Sequence, residues 1–300
     1  MRKLIALILI LLLCGCAAAA VANVTDAPVP EEEKSEPPQA DVIFPEEEAI
    51  HYTVSTTAWS DEACAEDGTV LAAYWFDLPE LKAVREDGMP ITEPQSEPEE
   101  QAIAAIAEFN RKFGKWADAE EFHEIVTWAE EHYASRIEEE IEWFAPYTLE
   151  LDCEVYQTEH MISVSGTYYS YTGGAHPNTW MLGWNYDLET GEFFSPEVLG
   201  EGAELQDAVT AEIIRQAQGA KVDELDLVDM YWADYEEIIA NWPSYAVTFN
   251  GDGMNVIFSA YELAPYAAGP QEFHLSYEFL KPHLSDQGKL LLGLEDQGNE

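Results

Sequence analysis

Two turn-rich segments carry the residues best suited to binding a ligand. The first is Gly173-Gly174-Ala175-His176-Pro177-Asn178, where two glycines permit close backbone approach and His176 and Asn178 supply hydrogen-bonding groups. The second segment, Tyr261 to Gly269, presents Tyr261 and Tyr266. Each segment also has a structural interpretation, which is favoured. In this interpretation the first segment is a connection between strands, and backbone groups provide the hydrogen-bond partners of His176. The second segment is a strand end that is interrupted by proline and packs on a sheet.

Patterns typical of catalysis or metal binding are missing from the sequence. His123 and His132 are nine residues apart, which places them on opposite faces of a helix, and there is no Cys-x-x-Cys pair. Asn250 to Asn255 lacks the closing glutamate of a calcium loop. With 59 acidic residues, paired carboxylates are inevitable and uninformative. The sequence therefore assigns no catalytic residue, metal ligand or cofactor, and enzymatic activity is not expected, although it stays open.

The charge of the chain limits its partners. The 300 residues include 13 Lys and Arg against 59 Asp and Glu, a formal net charge of −46, while 47% are apolar. Nucleic-acid binding needs cationic groups that neutralise phosphates, so this class of partner is excluded, and an anionic membrane surface is disfavoured likewise. A cationic protein is permitted but not implied, since acidity also promotes solubility.

The N-terminus has the pattern of a bacterial lipoprotein signal. Arg2 and Lys3 precede an apolar run from Leu4 to Leu13, which is too short to cross a bilayer. The run ends in Leu13-Cys14-Gly15-Cys16, which resembles a lipobox. We therefore predict a signal peptide over 1–15, lipidation of Cys16, an acidic proline-rich tether over 16–48, and anchoring on the outer face of a bacterial cell membrane. The alternative is an ordinary secretory signal, cleaved within Ala17 to Ala20.

Two cysteines remain once Cys14 and Cys16 are assigned to the signal and the lipid. Cys64 and Cys153 would lie in an oxidising compartment, where disulfides persist, so a Cys64–Cys153 bridge is predicted. The alternative is two separate buried thiols.

The folded part of the sequence alternates between blocks of strands and blocks of helices. Strands are predicted from His51 to Trp59 and from Thr69 to Phe76, and helices from the apolar spacing after Ile103 and from a capping box at Asp118 and Glu121. Alternation from Leu149 to Val155 predicts a half-buried strand, and Asn250-Gly251-Asp252-Gly253 predicts a hairpin turn.

These blocks predict an α+β fold in which antiparallel sheets pack with helices. We expect two closely associated subdomains, an N-terminal one over 49–165 and a C-terminal one over 166–285, followed by a tail over 286–300.

Three segments together resemble the extracytoplasmic region of RsiV-type anti-sigma factors, which also occurs in PdaC-type peptidoglycan deacetylases and in free-standing lipoproteins. The resemblance covers residues 50 to about 283. It rests on the segments Ser170 to Asn178, Asn185 to Glu192 and Phe258 to Gly269.

The resemblance implies a binding region, because in the anti-sigma factors it is a receptor for lysozyme. The deacetylases add a separate metal-dependent catalytic domain, and this sequence leaves only some 17 residues after His283. We therefore expect a non-catalytic binding domain on a lipid anchor, whose partner is a basic protein such as lysozyme or a cell-wall component. The alternative is a cell-wall (peptidoglycan) enzyme or enzyme accessory.

Overall fold

Six strands in sequential order form the larger sheet of the molecule. The structure is a computed structural model, and it describes residues 49–141, 143–222 and 225–295. The predicted signal peptide, Cys16 and the tether lie outside these ranges. The strands are β1 (His51–Cys64), β2 (Val70–Val84), β3 (Tyr147–Gln157), β4 (Met161–Tyr171), β5 (Asn178–Asp187) and β6 (Glu192–Phe194).

One pair in this sheet departs from the predicted antiparallel arrangement. β2 and β3 run parallel, with Ala72 opposite Tyr147 and Phe76 opposite Leu151. Parallel neighbours cannot be joined by a tight turn, so the chain must cross over. The crossover consists of the helices α1 (Glu97–Ala117) and α2 (Glu120–Glu138). The sheet is therefore mixed, and the α+β class is confirmed.

The two helices cover one face of the six-stranded sheet and bury the first core. The spacing that predicted α1 is confirmed, because Ile106, Phe109 and Phe113 are all buried. The predicted capping box of α2 is wrong. Asp118 has the helical backbone of the α1 C-cap, whereas an N-cap requires extended backbone, and the residue before α2 is Ala119 in the left-handed region.

A three-stranded antiparallel sheet and four helices surround a second core. The hairpin predicted at Asn250 to Gly253 joins two of its strands. The elements are α3 (Glu204–Gly219), the short pair β7 (Lys221–Val222) and β8 (Leu225–Asp226), α4 (Tyr235–Ala240), β9 (Ala246–Phe249), β10 (Gly253–Phe258), β11 (Gln271–Ser276), α5 (Tyr277–Leu280) and α6 (Asp286–Leu291).

The predicted subdomain limits need two corrections. A boundary at 165/166 would cut β4, which pairs along its whole length with β3 and β5, and the larger sheet continues to Phe194. The predicted tail over 286–300 is partly folded, because α6 places Leu291 and Leu292 in the second core. Residues 296–300 lie outside the described ranges.

The predicted disulfide is also corrected. Cys64 and Cys153, both within the described ranges, are free thiols. Cys64 lies opposite Val70 on β2. Phe76 on the same strand lies opposite Leu151, and continuing this register by two residues places Cys153 at the level of Leu78. Eight residues of strand separate the two levels, roughly 26 Å, while a disulfide requires Cα atoms within about 7 Å. Burial raises the pKa of the Cys153 thiol to about 12, so this thiol stays protonated and unreactive at neutral pH.

Buried polar groups join the two sheets. Asn185 Nδ2 donates to the Val247 carbonyl at 2.9 Å, and Ser163 Oγ donates to Asn185 Oδ1 at 2.8 Å. The same Ser163 oxygen accepts from the Phe249 N–H at 2.9 Å. The backbone of β9 is therefore fixed against the face of β4 and β5 that the helices leave uncovered. Within the described ranges, no helix combines the length and apolar character that crossing a membrane requires.

Candidate functional site

The first predicted segment forms the connection between β4 and β5. Gly173 and Gly174 have φ values of +91° and +95°, a region that favours glycine. A Cβ atom on Gly173 would also lie 3.1 Å from Tyr147 Oη. The two glycines thus allow the chain to turn at the ends of β4 and β5, and His176 is exposed beyond the turn.

The second predicted segment follows β10 and combines packing with exposure. Leu263 and Ala264 are buried in the second core and hold the segment in place. Trp232 donates twice to the segment, from its backbone N–H to the Leu263 carbonyl at 3.0 Å and from Nε1 to the Tyr261 carbonyl at 3.1 Å. Tyr261 is 51% exposed and has a φ of +72°, a strained conformation for a bulky residue. The structural interpretation therefore applies to Leu263 and Ala264, which pack in the core, and the binding interpretation applies to Tyr261, which is exposed.

The two segments meet through their rings. His176 stacks on Tyr266, with ring centroids 3.9 Å apart and planes 18° apart. Tyr261 Oη lies 3.3 Å from His176 Nε2, and the rings of Tyr261 and Tyr266 are 5.6 Å apart. We call His176, Tyr261 and Tyr266 the aromatic cluster.

Hydrogen bonds fix the orientation of the His176 ring. His176 Nδ1 lies 2.8 Å from the Pro177 carbonyl oxygen, which can only accept, so Nδ1 carries the proton and donates. In the neutral ring Nε2 is then an acceptor, and it accepts a hydrogen bond from the Tyr261 hydroxyl. Each polar atom of the His176 ring has a partner, which makes the ring a positioned surface group.

The predicted site residues have three different roles. His176, Tyr261 and Tyr266 form the cluster, while Gly173 and Gly174 shape the turn beneath it. Asn178 is exposed at the start of β5, opposite Ser170, and no hydrogen bond or ring contact joins it to the cluster in the described part of the chain.

Trp232 is the supporting residue that the sequence did not single out as part of the site. It lies 29 residues before Tyr261, in an aromatic-rich stretch, and no local pattern links it to the second segment.

The arrangement suits contact with another surface. Stacked tyrosine and histidine rings offer flat apolar faces that can also attract cationic groups, and tyrosine is enriched at the energetic centres of interfaces. Among residues 49–141, 143–222 and 225–295, no three His, Cys, Asp or Glu side chains are grouped so that they could hold a metal ion.

Comparison with known proteins gives two adjacent family matches. Residues 91–179 match the family described as Deacetylase PdaC, and residues 192–278 match the family described as a protein of unknown function (DUF3298). His176 lies in the first match, whereas Tyr261 and Tyr266 lie in the second. The aromatic cluster is therefore assembled from residues of both matched regions.

Two solved structures are similar to this chain, and the first of them shares its fold. A member of the DUF3298 family from Bacteroides fragilis matches with a TM-score of 0.57 and 18% identity, over 83% of this chain and 98% of that chain. A DUF3298 family protein from Pseudomonas aeruginosa has a TM-score of 0.43 and 19% identity, over 79% of this chain and 95% of its own. No curated protein matches the chain in sequence.

Proposed function

The chain carries a PdaC domain followed by a DUF3298 domain, and on this premise we propose that it is a lipid-anchored binding protein outside the cytoplasm, with a basic protein such as lysozyme as its partner. The observation that carries the proposal is the aromatic cluster, in which His176 and Tyr261 are exposed and Tyr266 is half-buried. Rings held by stacking and hydrogen bonds lose little conformational entropy on binding, which favours them as interface anchors.

The charge of the chain supports a basic partner. A net charge of −46 creates a negative potential that accelerates encounters with cationic proteins and slows encounters with anionic ones. Charge alone would attract every cationic protein to a similar extent. Selectivity therefore has to come from a packed contact, for which the aromatic cluster is the candidate.

The experiment compares lysozyme with an unrelated protein of matched positive charge. Both are titrated by calorimetry into the full chain, which is purified in a non-ionic detergent. The salt concentration is raised from a low value to about 0.3 M NaCl, at which the electrostatic screening length is shorter than about 8 Å. Saturable one-to-one binding of lysozyme alone, persisting at the higher salt concentration, is the expected result. Equal binding of both proteins that disappears with salt would overturn the proposal.

A pair of variants tests the site. Tyr266→Ala removes the ring on which His176 stacks, and we expect it to weaken lysozyme binding by about tenfold or more, as for an anchor residue. The control is Trp128→Ala, which removes a 51% exposed ring from α2, outside the cluster. Equal affinities of the two variants would remove the cluster from the proposed interface.

The anchor has its own test, because it concerns residues outside the described ranges. Acyl chains contribute roughly 0.8 kcal/mol per buried methylene, so a multiply acylated Cys16 should hold the protein firmly in a membrane. Cys16→Ser is expected to release the protein or leave it unprocessed, as measured by membrane fractionation and mass spectrometry. A variant that is correctly cleaved and still membrane-bound would contradict lipidation.

A cell-wall enzyme or enzyme accessory is the second candidate, since one of the two matching families is described as a deacetylase. The test is incubation with peptidoglycan fragments, followed by mass spectrometry. Released product that survives purification and disappears in His176→Ala would favour this function over binding alone.

A further inference from the structure

A cleft of about 430 Å³ lies between the two sheets. One wall consists of β3 and β4 side chains that alternate with core residues and face away from the helices, among them Asp152, Glu154 and Ser165. The other wall belongs to the three-stranded sheet, with Thr248, Asn255 and Glu272. The volume falls in the range of small-ligand sites, about 300–1,000 Å³.

The lining of the cleft is polar and negatively charged. Asp152, Glu154 and Glu272 contribute carboxylates from both walls, and no Lys or Arg is among the described residues that line it. Ionised carboxylates only accept hydrogen bonds. A ligand that matches this lining therefore carries positive charge and several hydrogen-bond donors.

One buried side chain in the cleft lacks a partner. Thr248 is only 3% exposed, and its hydroxyl forms no hydrogen bond with any residue in the ranges that the structure describes. Its polar neighbours are satisfied, since Ser163 Oγ bonds to Asn185 and Phe249, and Asn255 Oδ1 lies 2.7 Å from His274 Nδ1. The Thr248 oxygen is not fully enclosed by protein atoms, so its open side faces the cleft, where a group that enters can donate a hydrogen bond to it.

We propose that the cleft binds an alkylammonium or guanidinium group. Such a group donates several hydrogen bonds and carries the charge that the three carboxylates match, and the Thr248 oxygen accepts one of those bonds. The group can belong to a lysine or arginine side chain of another protein, or to a free polyamine. The proposal does not rest on the proposed function, because no residue of the aromatic cluster lines the cleft.

The test measures affinity for three probes on the full chain. The probes are spermidine, a short peptide with one lysine, and the same peptide with that lysine acetylated. All three are titrated at about 0.15 M salt, so that diffuse attraction to the acidic surface is screened. Binding of the two cationic probes and loss of binding on acetylation are expected. Tighter binding of the peptide assigns the group to a protein side chain, and tighter binding of spermidine assigns it to a polyamine.

Matched variants locate the binding. Glu154→Gln is expected to reduce affinity about two- to fivefold, and Thr248→Val by about tenfold, because the latter removes a hydrogen bond to a charged group. Glu201→Gln makes the same charge change on an exposed residue outside the cleft and should leave affinity unchanged. Equal affinity of Glu154→Gln and Glu201→Gln, or unimpaired binding of the acetylated peptide, would overturn the proposal.

A stability measurement separates binding from folding. Thr248→Val removes a hydroxyl that has no protein partner, so the thermal midpoint of the ligand-free protein should stay the same or rise. Ser163→Ala removes a hydroxyl with two partners and should lower the midpoint. A lowered midpoint in Thr248→Val would mean that its hydroxyl supports the fold, and would count against the cleft as a site. Tyr266→Ala should leave probe binding unchanged, which keeps this result distinct from that for the aromatic cluster.

Discussion

At the scale of single residues, the ion pair between Arg85 and Glu99 is notable in a chain with so few cations. Arg85 Nε donates to Glu99 Oε1 at 2.6 Å, and a second guanidinium nitrogen donates to Oε2 at 3.0 Å. The Gln95 backbone N–H adds a third bond at 2.6 Å. The pair ties the end of β2 to the first turn of α1. The hydrogen bonds from Arg85, followed by that from Gln95, lower the pKa of Glu99.

We predict that Glu99→Gln destabilises the protein most at neutral pH. Because the folded-state pKa lies below the ordinary value of 4.5, the stabilising contribution is fully present above that value and is lost as pH falls through the lower folded pKa. Unfolding by denaturant near pH 7 and near pH 3 measures the change, with the exposed neighbour Glu100→Gln as control. A deficit of the same size at both pH values would contradict the argument.

At the scale of elements, the two sheets depend on a close approach between β5 and β9. A Cβ atom on Gly183 would lie 2.6 Å from the Val247 carbonyl oxygen and 2.8 Å from its nitrogen. Backbone atoms cannot move aside as a side-chain tip can. The hydrogen bond from Asn185 Nδ2 to the same Val247 carbonyl also holds the β9 backbone in this position.

Gly183→Ala is therefore expected to destabilise the protein by roughly 1–3 kcal/mol, the usual cost of overpacking. The control is Gly251→Ala in the β9–β10 turn, where an added Cβ would meet nothing within 4 Å. Free energies of unfolding from denaturant titration provide the comparison. If the two variants are equally stable, the sheets have more room between them than the contact with Val247 indicates.

The elements that the sequence predicted well are those set by local pattern. The apolar spacing of α1 and the turn at Asn250 each depend on neighbouring residues, and both are confirmed. The parallel pairing of β2 with β3 and the separation of Cys64 from Cys153 depend on where distant strands lie in the sheet. Sequence periodicity carries no information about the order of strands in a sheet. For this reason the prediction of purely antiparallel sheets and the prediction of a Cys64–Cys153 disulfide were wrong.

The candidate site shows the same division between local and distant information. Its two segments are recognisable one at a time from their glycines and tyrosines. The hydrogen bond between Tyr261 and His176 joins residues 85 positions apart, and it depends on the packing of β9 on β4 and β5. Thr248 has no signal in the sequence, since its missing partner is a property of the folded cleft.

At the scale of the whole molecule, charge opposes folding. With 59 acidic residues and 13 basic ones, most carboxylates have no cation to pair with, and compaction brings them closer together. The pair between Arg85 and Glu99 acts in the opposite sense, but it is one local contact against a repulsion that extends over the entire surface. The net effect of salt should therefore be stabilising.

We predict that the thermal midpoint rises as ionic strength increases from about 10 mM to about 0.15 M, because the screening length falls from about 30 Å to about 8 Å. Each kcal/mol gained should raise the midpoint by about 2–4 °C for a domain of this size. Scanning calorimetry in NaCl and in KCl at equal ionic strength measures the effect, and the two salts should agree because screening does not depend on which monovalent cation supplies it. A midpoint that falls with salt would mean that local ion pairs outweigh the general repulsion. Different results in the two salts would instead indicate that one cation binds at a defined site.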